Sequence, residues 1–178
     1  MRGRGFIRTL SFVNRKYREL EQMIRKCCPE DEKIWVELNR EFMAYEYADE
    51  NVWESPLDKG DPAVIFRRIM AEPDGANLLF MLEENGQPIG FMNTVVFYSV
   101  WAHGKVLFLD DFFIREPFRG KGYGAAALAE LEKLIQREGL LRVQLLAENT
   151  NPRAVRFYRR EGYGLQEINL CCKYLKAQ

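Results

Sequence analysis

The sequence predicts an α+β fold in three layers, with helices on both faces of a central mixed, mostly antiparallel sheet of about six or seven strands. Three observations predict it. Hydrophobic residues make up 47% of the 178 residues and aromatic residues 13%, which is typical of a packed globular protein. Extended segments on both sides of an Asn-Gly pair predict consecutive antiparallel strands. A strand, a glycine loop, a helix and a second strand follow between residues 106 and 147, which predicts a crossover in the same sheet.

The first predicted boundary lies after residue 22. Residues 1–22 mix the spacings of strand and helix, so we predict an N-terminal extension there and a single domain at 23–178. Residues 23–28 alternate like a short opening strand. Proline and two acids at 29–31 mark a helix start, and an apolar stripe continues it to about residue 47. The stripe consists of Ile34, Leu38, Phe42 and Tyr45.

An acidic and aromatic run, 45–54, follows this helix. If the helix continues that far, its acids share one face, and Trp53 lies among them. The acids are Glu46, Asp49, Glu50 and Glu54. A run of this kind is a solvated helix end or one wall of a pocket for a cationic substrate, and the residues alone leave both interpretations open.

The middle of the chain predicts a helix and then a three-stranded meander. Proline at position 62 begins a helix that ends before the Pro-Asp-Gly run at 73–75. We predict strands at 77–82, 89–101 and 106–114, with Asn85-Gly86 supplying the positive φ angles of the first hairpin turn.

The last third alternates helix and strand. Residues 125–138 form an amphipathic helix stopped by Gly139, and 141–147 a short buried strand. Asn151-Pro152 begins another helix. Two final strands, at 163–166 and 168–175, complete the predicted sheet.

Charge and cysteine content exclude several classes of protein. The chain carries 26 basic and 26 acidic residues, so its net charge of zero argues against nucleic-acid binding. No apolar run approaches the length of a membrane span and no signal-peptide layout is present, which predicts a cytoplasmic protein without a membrane partner. The four cysteines form two adjacent pairs, a spacing of neither disulfide frameworks nor zinc sites, so we expect no metal.

The stretch from 107 to 128 organises the rest of the chain. Gly120, Gly122 and Gly124 follow a strand and lead into an alanine-rich helix. Glycines at alternate positions let successive backbone amides converge on an anion at a helix N-terminus, and Arg119 and Lys121 add positive charge. The pattern predicts a site for a phosphate or pyrophosphate.

The glycine loop also satisfies a nicotinamide-cofactor pattern. Gly120 to Ala125 fits G-x-G-x-x-A, and Glu148 ends the next predicted strand, where a ribose-binding acid could stand. Five residues separate this loop from its strand, however, and antiparallel hairpins precede it, unlike a dinucleotide fold. A nicotinamide-dependent oxidoreductase is therefore a remote alternative.

Two motifs together resemble the GNAT superfamily of acetyl-CoA-dependent N-acetyltransferases. Arg119-x-x-Gly122-x-Gly124 resembles the pyrophosphate loop of that family. The downstream run from Asn151 to Tyr158, followed by Gly162-Tyr163, is similar to its N-x-x-A-x-x-F-Y-x-x-x-G-F/Y motif. The resemblance covers about 23–175 and implies a GNAT-like sheet that splays between its fourth and fifth strands, acetyl-CoA as cosubstrate, and a possible homodimer.

The resemblance assigns the cosubstrate to three parts of the chain. The pantetheine arm would pair with the strand edge at 112–114, where one of two adjacent phenylalanines would sit at a bulge. The diphosphate would lie on the loop, and two residues of the following helix, together with Tyr158, would contact the cosubstrate. The implied residues are Phe112, Phe113, Ile114, Arg119, Gly120, Lys121, Gly122, Tyr123, Gly124, Ala125, Asn151, Arg156 and Tyr158.

The same resemblance implies an acetyl transfer by direct attack of a primary amine on the thioester. Tyr158 matches the general acid that protonates the leaving thiolate. Residues 109–113 resemble the L-E-D-F-F segment of diamine acetyltransferases, and Asp110 takes the place of its glutamate, which makes Asp110 the predicted base. A small cationic amine, such as a di- or polyamine, is the implied acceptor, and a protein or peptide amine the alternative. The acceptor contacts would be Asp110, Asp111, Glu46, Asp49 and Trp53.

Overall fold

The computed structural model describes residues 23–50, 60–72, 74–171 and 173. The predicted extension, Trp53 and the side chain of Asp49 lie outside these residues. The chain forms two compact units, the first ending at Leu146 and the second beginning at Ala147.

The first unit contains a mixed sheet of five strands in the order of the sequence. The strands are β1 (Ile24–Lys26), β2 (Asn77–Glu84), β3 (Gln87–Ser99), β4 (Gly104–Ile114) and β5 (Val143–Leu145). The first four pair antiparallel, and β4 pairs with β5 in parallel. The predicted mixed, mostly antiparallel sheet is confirmed, with slightly fewer strands than the six or seven expected.

Four α-helices occur in the described residues. Helix α1 (Glu32–Glu50) follows a 3-10 turn, and α2 (Pro62–Met70) and α4 (Pro152–Arg160) begin at the predicted start signals. Helix α3 (Tyr123–Arg137) begins before position 125, where it was predicted to start. Asp61 caps α2, because its side chain accepts the Ala63 amide. The β2–β3 turn is also as predicted, with positive φ angles of 52° at Asn85 and 76° at Gly86.

One face of the sheet packs against α1 and α2. Its core is a cluster of buried aromatic and aliphatic residues from both helices and from three strands. The cluster contains Trp35, Leu38, Phe66, Leu79, Met81, Phe91 and Phe113. Cross-strand partners share a face of the sheet. Met92 is next to the cluster residue Phe91 in β3, and Leu109 pairs with Thr94, so both point to the other face. We assign α3 to that face, because its buried Ala127, Leu128 and Leu131 have no place in the cluster.

A β-bulge interrupts β4 at Asp110. Leu109 pairs with Thr94 and Asp111 pairs with Asn93, so Asp110 is an additional residue with no partner in the β3 ladder. The extra residue shifts the alternation, and Asp111 therefore faces the α1 side whereas Leu109 faces away from it. The bulge expected at Phe112 or Phe113 is absent, because both residues keep regular β3 partners.

The β4–β5 ladder is short. It joins Leu107–Leu109 to Val143–Leu145 and ends there, whereas β4 continues along β3 to Ile114. The two strands therefore part from Asp110 onward, which is the predicted splay between the fourth and fifth strands.

The second unit contains α4 and the segment after it. Asn151 caps the helix by accepting the Ala154 amide at 3.0 Å, and Gly162, with a φ of 92°, follows its end. Residues 163–171 form no strand, so the predicted strand at 163–166 is wrong. The apolar residues that suggested this strand and the one at 168–175 remain 42–64% exposed. No ladder partner among the described residues covers them. They are Leu165, Ile168 and Leu170.

Candidate active site

Two of the three glycines of the loop have a left-handed backbone, and Gly124 lies in the first turn of α3. Gly120 has a φ of 75°, and Gly122, the N-cap residue of α3, has a φ of 93°. Left-handed backbone of this kind favours glycine. A Cβ atom added at either glycine would meet nothing within 4 Å, so the space in front of the loop is open. An anion can therefore approach the amides closely.

The N-terminus of α3 lacks a side-chain cap. Helices α2 and α4 begin with a side-chain oxygen that accepts a backbone amide, whereas Gly122 supplies none at α3. The first amides of α3 and the positive end of its dipole are therefore not satisfied by a capping side chain. This chemistry fits the negatively charged diphosphate of a coenzyme.

The two basic residues beside the loop differ in their surroundings. Lys121 places its Nζ atom 5.7 Å from the centre of the Phe118 ring. Arg119 donates from Nε to the Ile114 carbonyl at 2.6 Å, and its guanidinium lies 4.4 Å from the Tyr45 ring centre and 5.3 Å from that of Phe113. Arg119 thus links the end of β4 to α1 as well as carrying charge.

The strand edge predicted for the pantetheine arm lies just before this loop. Phe113 is buried in the α1 face of the sheet, and Phe112, which pairs with Met92, points to the other face. The Ile114 carbonyl accepts Arg119 Nε and has a second lone pair for another donor. No β5 residue pairs with β4 beyond Leu109. Among the described residues, the β5 ladder therefore ends before the segment 112–114.

A cleft of about 290 Å³ lies beside this strand end. Within it, Arg115 forms an ion pair with Glu41 at 2.6 Å and also pairs with Glu37, so one positive charge is shared by two carboxylates. The lining residues are Glu41, Tyr45, Phe113, Arg115, Glu116, Pro117 and Arg119.

The predicted acidic wall lies partly on α1. The helix extends to Glu50, as a shared face for its acids requires, and Glu46 is half-buried on it. The side chain of Asp49 and residues Trp53 and Glu54 lie outside the described residues.

The two adjacent acids of β4 have different environments. Asp110, in the bulge, has an exposed side chain. Partial desolvation of its carboxyl nevertheless raises the pKa of this group. Asp111 is half-buried. Burial raises its pKa to about 6, the negative charge of Asp110 raises it further, and a hydrogen bond from Asn93 opposes both effects.

A polar network on the sheet holds Asp111. Asn93 Nδ2 donates to Asp111 Oδ2 at 2.8 Å and to Asn39 Oδ1 at 3.0 Å, while Asn93 Oδ1 accepts from Trp35 Nε1 at 3.1 Å. Asn39 donates to the Trp35 carbonyl at 2.7 Å. Sequence reasoning missed Trp35, Asn39 and Asn93. The available signal was an asparagine inside a strand otherwise rich in β-branched and aromatic residues.

Tyr158 belongs to the second unit. Its ring stacks edge-on against Phe157 at 5.1 Å and Tyr163 at 5.6 Å, and the residue is 8% exposed. Burial raises the pKa of its phenol to about 12, so Tyr158 keeps its proton at neutral pH. The Tyr158 hydroxyl forms no hydrogen bond with another described residue, and no fully buried polar side-chain atom among those residues lacks a partner. The hydroxyl therefore keeps some contact with solvent.

The other two predicted contacts of this unit lie on α4. The Asn151 Oδ1 atom is engaged in capping the helix, which leaves its Nδ2 group to donate to a ligand. Arg156 is exposed one turn further along, where its charge is accessible.

The described residues contain neither a metal-binding cluster nor a membrane-spanning helix. No group of three or more His, Cys, Asp and Glu side chains in ranges 23–50, 60–72 and 74–171 could hold a metal ion. Within the same ranges, no helix combines the length and the apolar character needed to cross a bilayer.

Comparison with known proteins yields a family and several relatives. The sequence model of the acetyltransferase (GNAT) family matches residues 32–163. The chain is 34% identical over 83 residues to the L-ornithine N5-acetyltransferase NATA1 of Arabidopsis thaliana, a match covering 46% of this chain and 36% of that enzyme. Matches to three curated relatives span 36–58% of their lengths.

Solved structures share the fold. An aminoglycoside acetyltransferase from an uncultured soil metagenomic sample, meta-AAC0020 in complex with sisomicin, superposes with a TM-score of 0.67 at 14% identity, covering 86% of this chain and 95% of that one. The aminoglycoside N-acetyltransferase AAC(6')-Iy in complex with CoA gives a TM-score of 0.64 at 14% identity, covering 85% and 98%. The family match includes the glycine loop and the motif on α4. The chain therefore belongs to the acetyltransferase (GNAT) family.

Proposed function

We propose that the protein is an acetyl-CoA-dependent N-acetyltransferase that acetylates a primary amine of a small cationic molecule. One observation carries the proposal: an open glycine loop without a capping side chain at the start of α3, in a chain whose residues 32–163 match the GNAT family. Diphosphate, amide and thioester groups each need a different surface. In the first unit, the glycine loop suits the diphosphate and the edge of β4 suits the amides.

The cosubstrate site uses backbone groups for the most part. The amides from Gly120 to Ala125 hold the diphosphate, and Lys121 supplies charge beside them. The edge of β4 at 112–114 pairs with the pantetheine amides as a short additional strand would. Asn151 and Arg156 contribute the remaining polar contacts, as in the family motif. When bound, acetyl-CoA supplies the activated acetyl group.

The proposed reaction is a direct transfer. The acceptor ammonium first loses a proton to a carboxylate of β4, because at neutral pH only about one alkyl ammonium in a few thousand is deprotonated. The free amine then forms the C–N bond, a backbone N–H of the splayed strand stabilises the oxyanion, and the C–S bond breaks. Tyr158 donates its proton to the leaving thiolate, the newly bonded nitrogen releases its second proton to water, and water returns a proton to the Tyr158 phenolate.

Acidic groups support a cationic acceptor. Glu46 lies on α1, and Asp110 and Asp111 on β4, with Asp49 and Trp53 as further proposed contacts. The name of one relative specifies ornithine, and those of two structural neighbours specify aminoglycosides, all of which carry alkyl amines. We further expect a cytoplasmic protein and, from the family resemblance, a homodimer.

The test is a panel of acceptors in which thiol release from acetyl-CoA is followed. The panel contains L-ornithine, 1,4-diaminobutane, sisomicin and a lysine-containing peptide. We expect thiol release with at least one of the small amines and little with the peptide. Release with the peptide alone would instead indicate a protein or peptide acetyltransferase, and no release with any member would refute the proposal.

A Tyr158→Phe variant tests the proposed acid. We expect unchanged acetyl-CoA binding by calorimetry and a kcat lower by about 100-fold or more, because the proton for the thiolate is lost. Phe157→Leu, at the adjacent stacked ring, is the matched control for packing. A kcat that Tyr158→Phe leaves undiminished would remove Tyr158 from the mechanism.

A further inference from the structure

We propose that Asp111, positioned by Asn93, is the general base that takes the proton from the acceptor ammonium. The proposal rests on the proposed acetyltransferase function and replaces Asp110, to which the sequence pattern points, in that role. The supporting observations are a fixed hydrogen-bond network, the bulge, and the difference in burial between Asp110 and Asp111.

The network leaves no freedom in the orientation of Asn93. The Trp35 indole N–H can only donate, so the Asn93 atom that accepts it at 3.1 Å must be the amide oxygen. The Asn93 NH2 group therefore points to Asn39 and Asp111, with one hydrogen for each. Asn39, which is 2% exposed, is itself tied to the Trp35 carbonyl. A buried, satisfied chain of this kind holds its last member in one position.

The last member is the Asp111 carboxylate. Its Oδ2 atom accepts Asn93 at 2.8 Å, and its Oδ1 atom has no hydrogen-bond partner among the described residues. One oxygen is therefore held while the other can accept a proton. The residue is half-buried, so the carboxylate is desolvated but reachable from solvent. These are the requirements for a positioned base.

The bulge explains why the neighbouring acid is less suited. Asp110 has no partner in the β3 ladder, no side-chain hydrogen bond to another described residue, and an exposed side chain. An exposed, unrestrained carboxylate attracts a cation but does not fix a proton-transfer geometry. We assign to Asp110 the attraction of the acceptor ammonium.

Burial also makes Asp111 the stronger base. Its pKa of about 6 lies closer to neutral than the ordinary value of 3.8, so its carboxylate binds the ammonium proton more tightly and is still mostly ionised at pH 7. Among the described groups, only the charge of Asp110 acts on it from its own strand, while the contacts from α1 and β3 are the neutral Trp35, Asn39 and Asn93. The proton passes from nitrogen to Asp111 and then to water.

The test compares Asp111→Asn with wild type at two pH values, using the best acceptor of the amine panel. At pH 7 we expect kcat/KM to fall about 100-fold or more. At pH 10 about a third of an alkyl amine is already free, so a base is hardly needed and the deficit should shrink to less than about tenfold. Taking the ratio to wild type removes the effects of pH that both proteins share. Calorimetry should show unchanged acetyl-CoA binding.

Two further variants complete the design. Asp110→Asn, the matched control, should raise KM and give a deficit that does not change between pH 7 and pH 10. Asn93→Ala keeps the base but removes the hydrogen bond that lowers its pKa, so the acid limb of kcat/KM should move to higher pH. This variant also tests the assignment if Asp111→Asn fails to fold.

The outcomes separate the two proposals. A deficit of Asp111→Asn that is equal at both pH values, or an acid limb that Asn93→Ala leaves in place, would refute the base assignment alone. A wild-type protein that acetylates no amine of the panel refutes the proposed function, and the base assignment with it.

Discussion

Replacing Asp111 by asparagine should make the protein more stable at neutral and alkaline pH. The folded structure raises the pKa of this carboxyl from 3.8 to about 6, chiefly by burial. A group whose pKa is raised on folding contributes its full stability below the unfolded pKa and loses it as the pH rises through the folded pKa. Ionised Asp111 therefore opposes folding above about pH 6.

The magnitude follows from the shift. About two pKa units separate the two states of Asp111, and each unit corresponds to about 1.4 kcal/mol. Wild type should therefore lose about 3 kcal/mol of unfolding free energy between pH 4 and pH 8 through this group. Asparagine has a similar shape, accepts the Asn93 hydrogen bond and does not ionise, so the variant avoids that loss.

The assay is urea denaturation of both proteins at several pH values between 4 and 8. The unfolding free energy of Asp111→Asn minus that of wild type should rise by about 3 kcal/mol across this range. Asp110→Asn, at the exposed neighbour, should show a smaller change. A difference that stays flat with pH, or falls as the pH rises, would refute the argument from burial. A more stable variant with impaired turnover would fit a carboxylate kept in the site for chemistry.

Two other predictions concern stability. A Cβ atom at Gly90 would clash with the Phe113 carbonyl oxygen. Gly90→Ala should therefore destabilise the protein by about 3 kcal/mol in urea denaturation. Gly164→Ala is the control and should change little, because a Cβ atom there would meet nothing within 4 Å. Asp31, whose pKa is lowered to about 2 mainly by its hydrogen bonds with Arg25, contributes stability above about pH 4 that is lost as the pH falls toward 2. Asp31→Asn should therefore cost about 2 kcal/mol at pH 7, and a cost that does not shrink as the pH is lowered from 5 would contradict this.

Local sequence determined the features that depend on neighbours in the chain. Asn85-Gly86 specified the hairpin, because few other pairs adopt two consecutive positive φ angles. Gly120 and Gly122 specified the open loop before α3 for the same reason, and Asn151 specified the start of α4 through its cap. The apolar alternation after residue 163 was misleading, since alternation predicts a strand only where a partner exists to pair with it.

The tertiary structure alone decided which acid is buried and how it is held. The bulge at Asp110 depends on the register between β3 and β4, and it moves Asp111 onto the α1 face. Asn93 lies 18 positions from Asp111, and Trp35 lies 58 positions from Asn93. Two adjacent aspartates look alike in sequence, but the pKa of each depends on desolvation and on hydrogen bonds from distant segments, so only the folded chain distinguishes them.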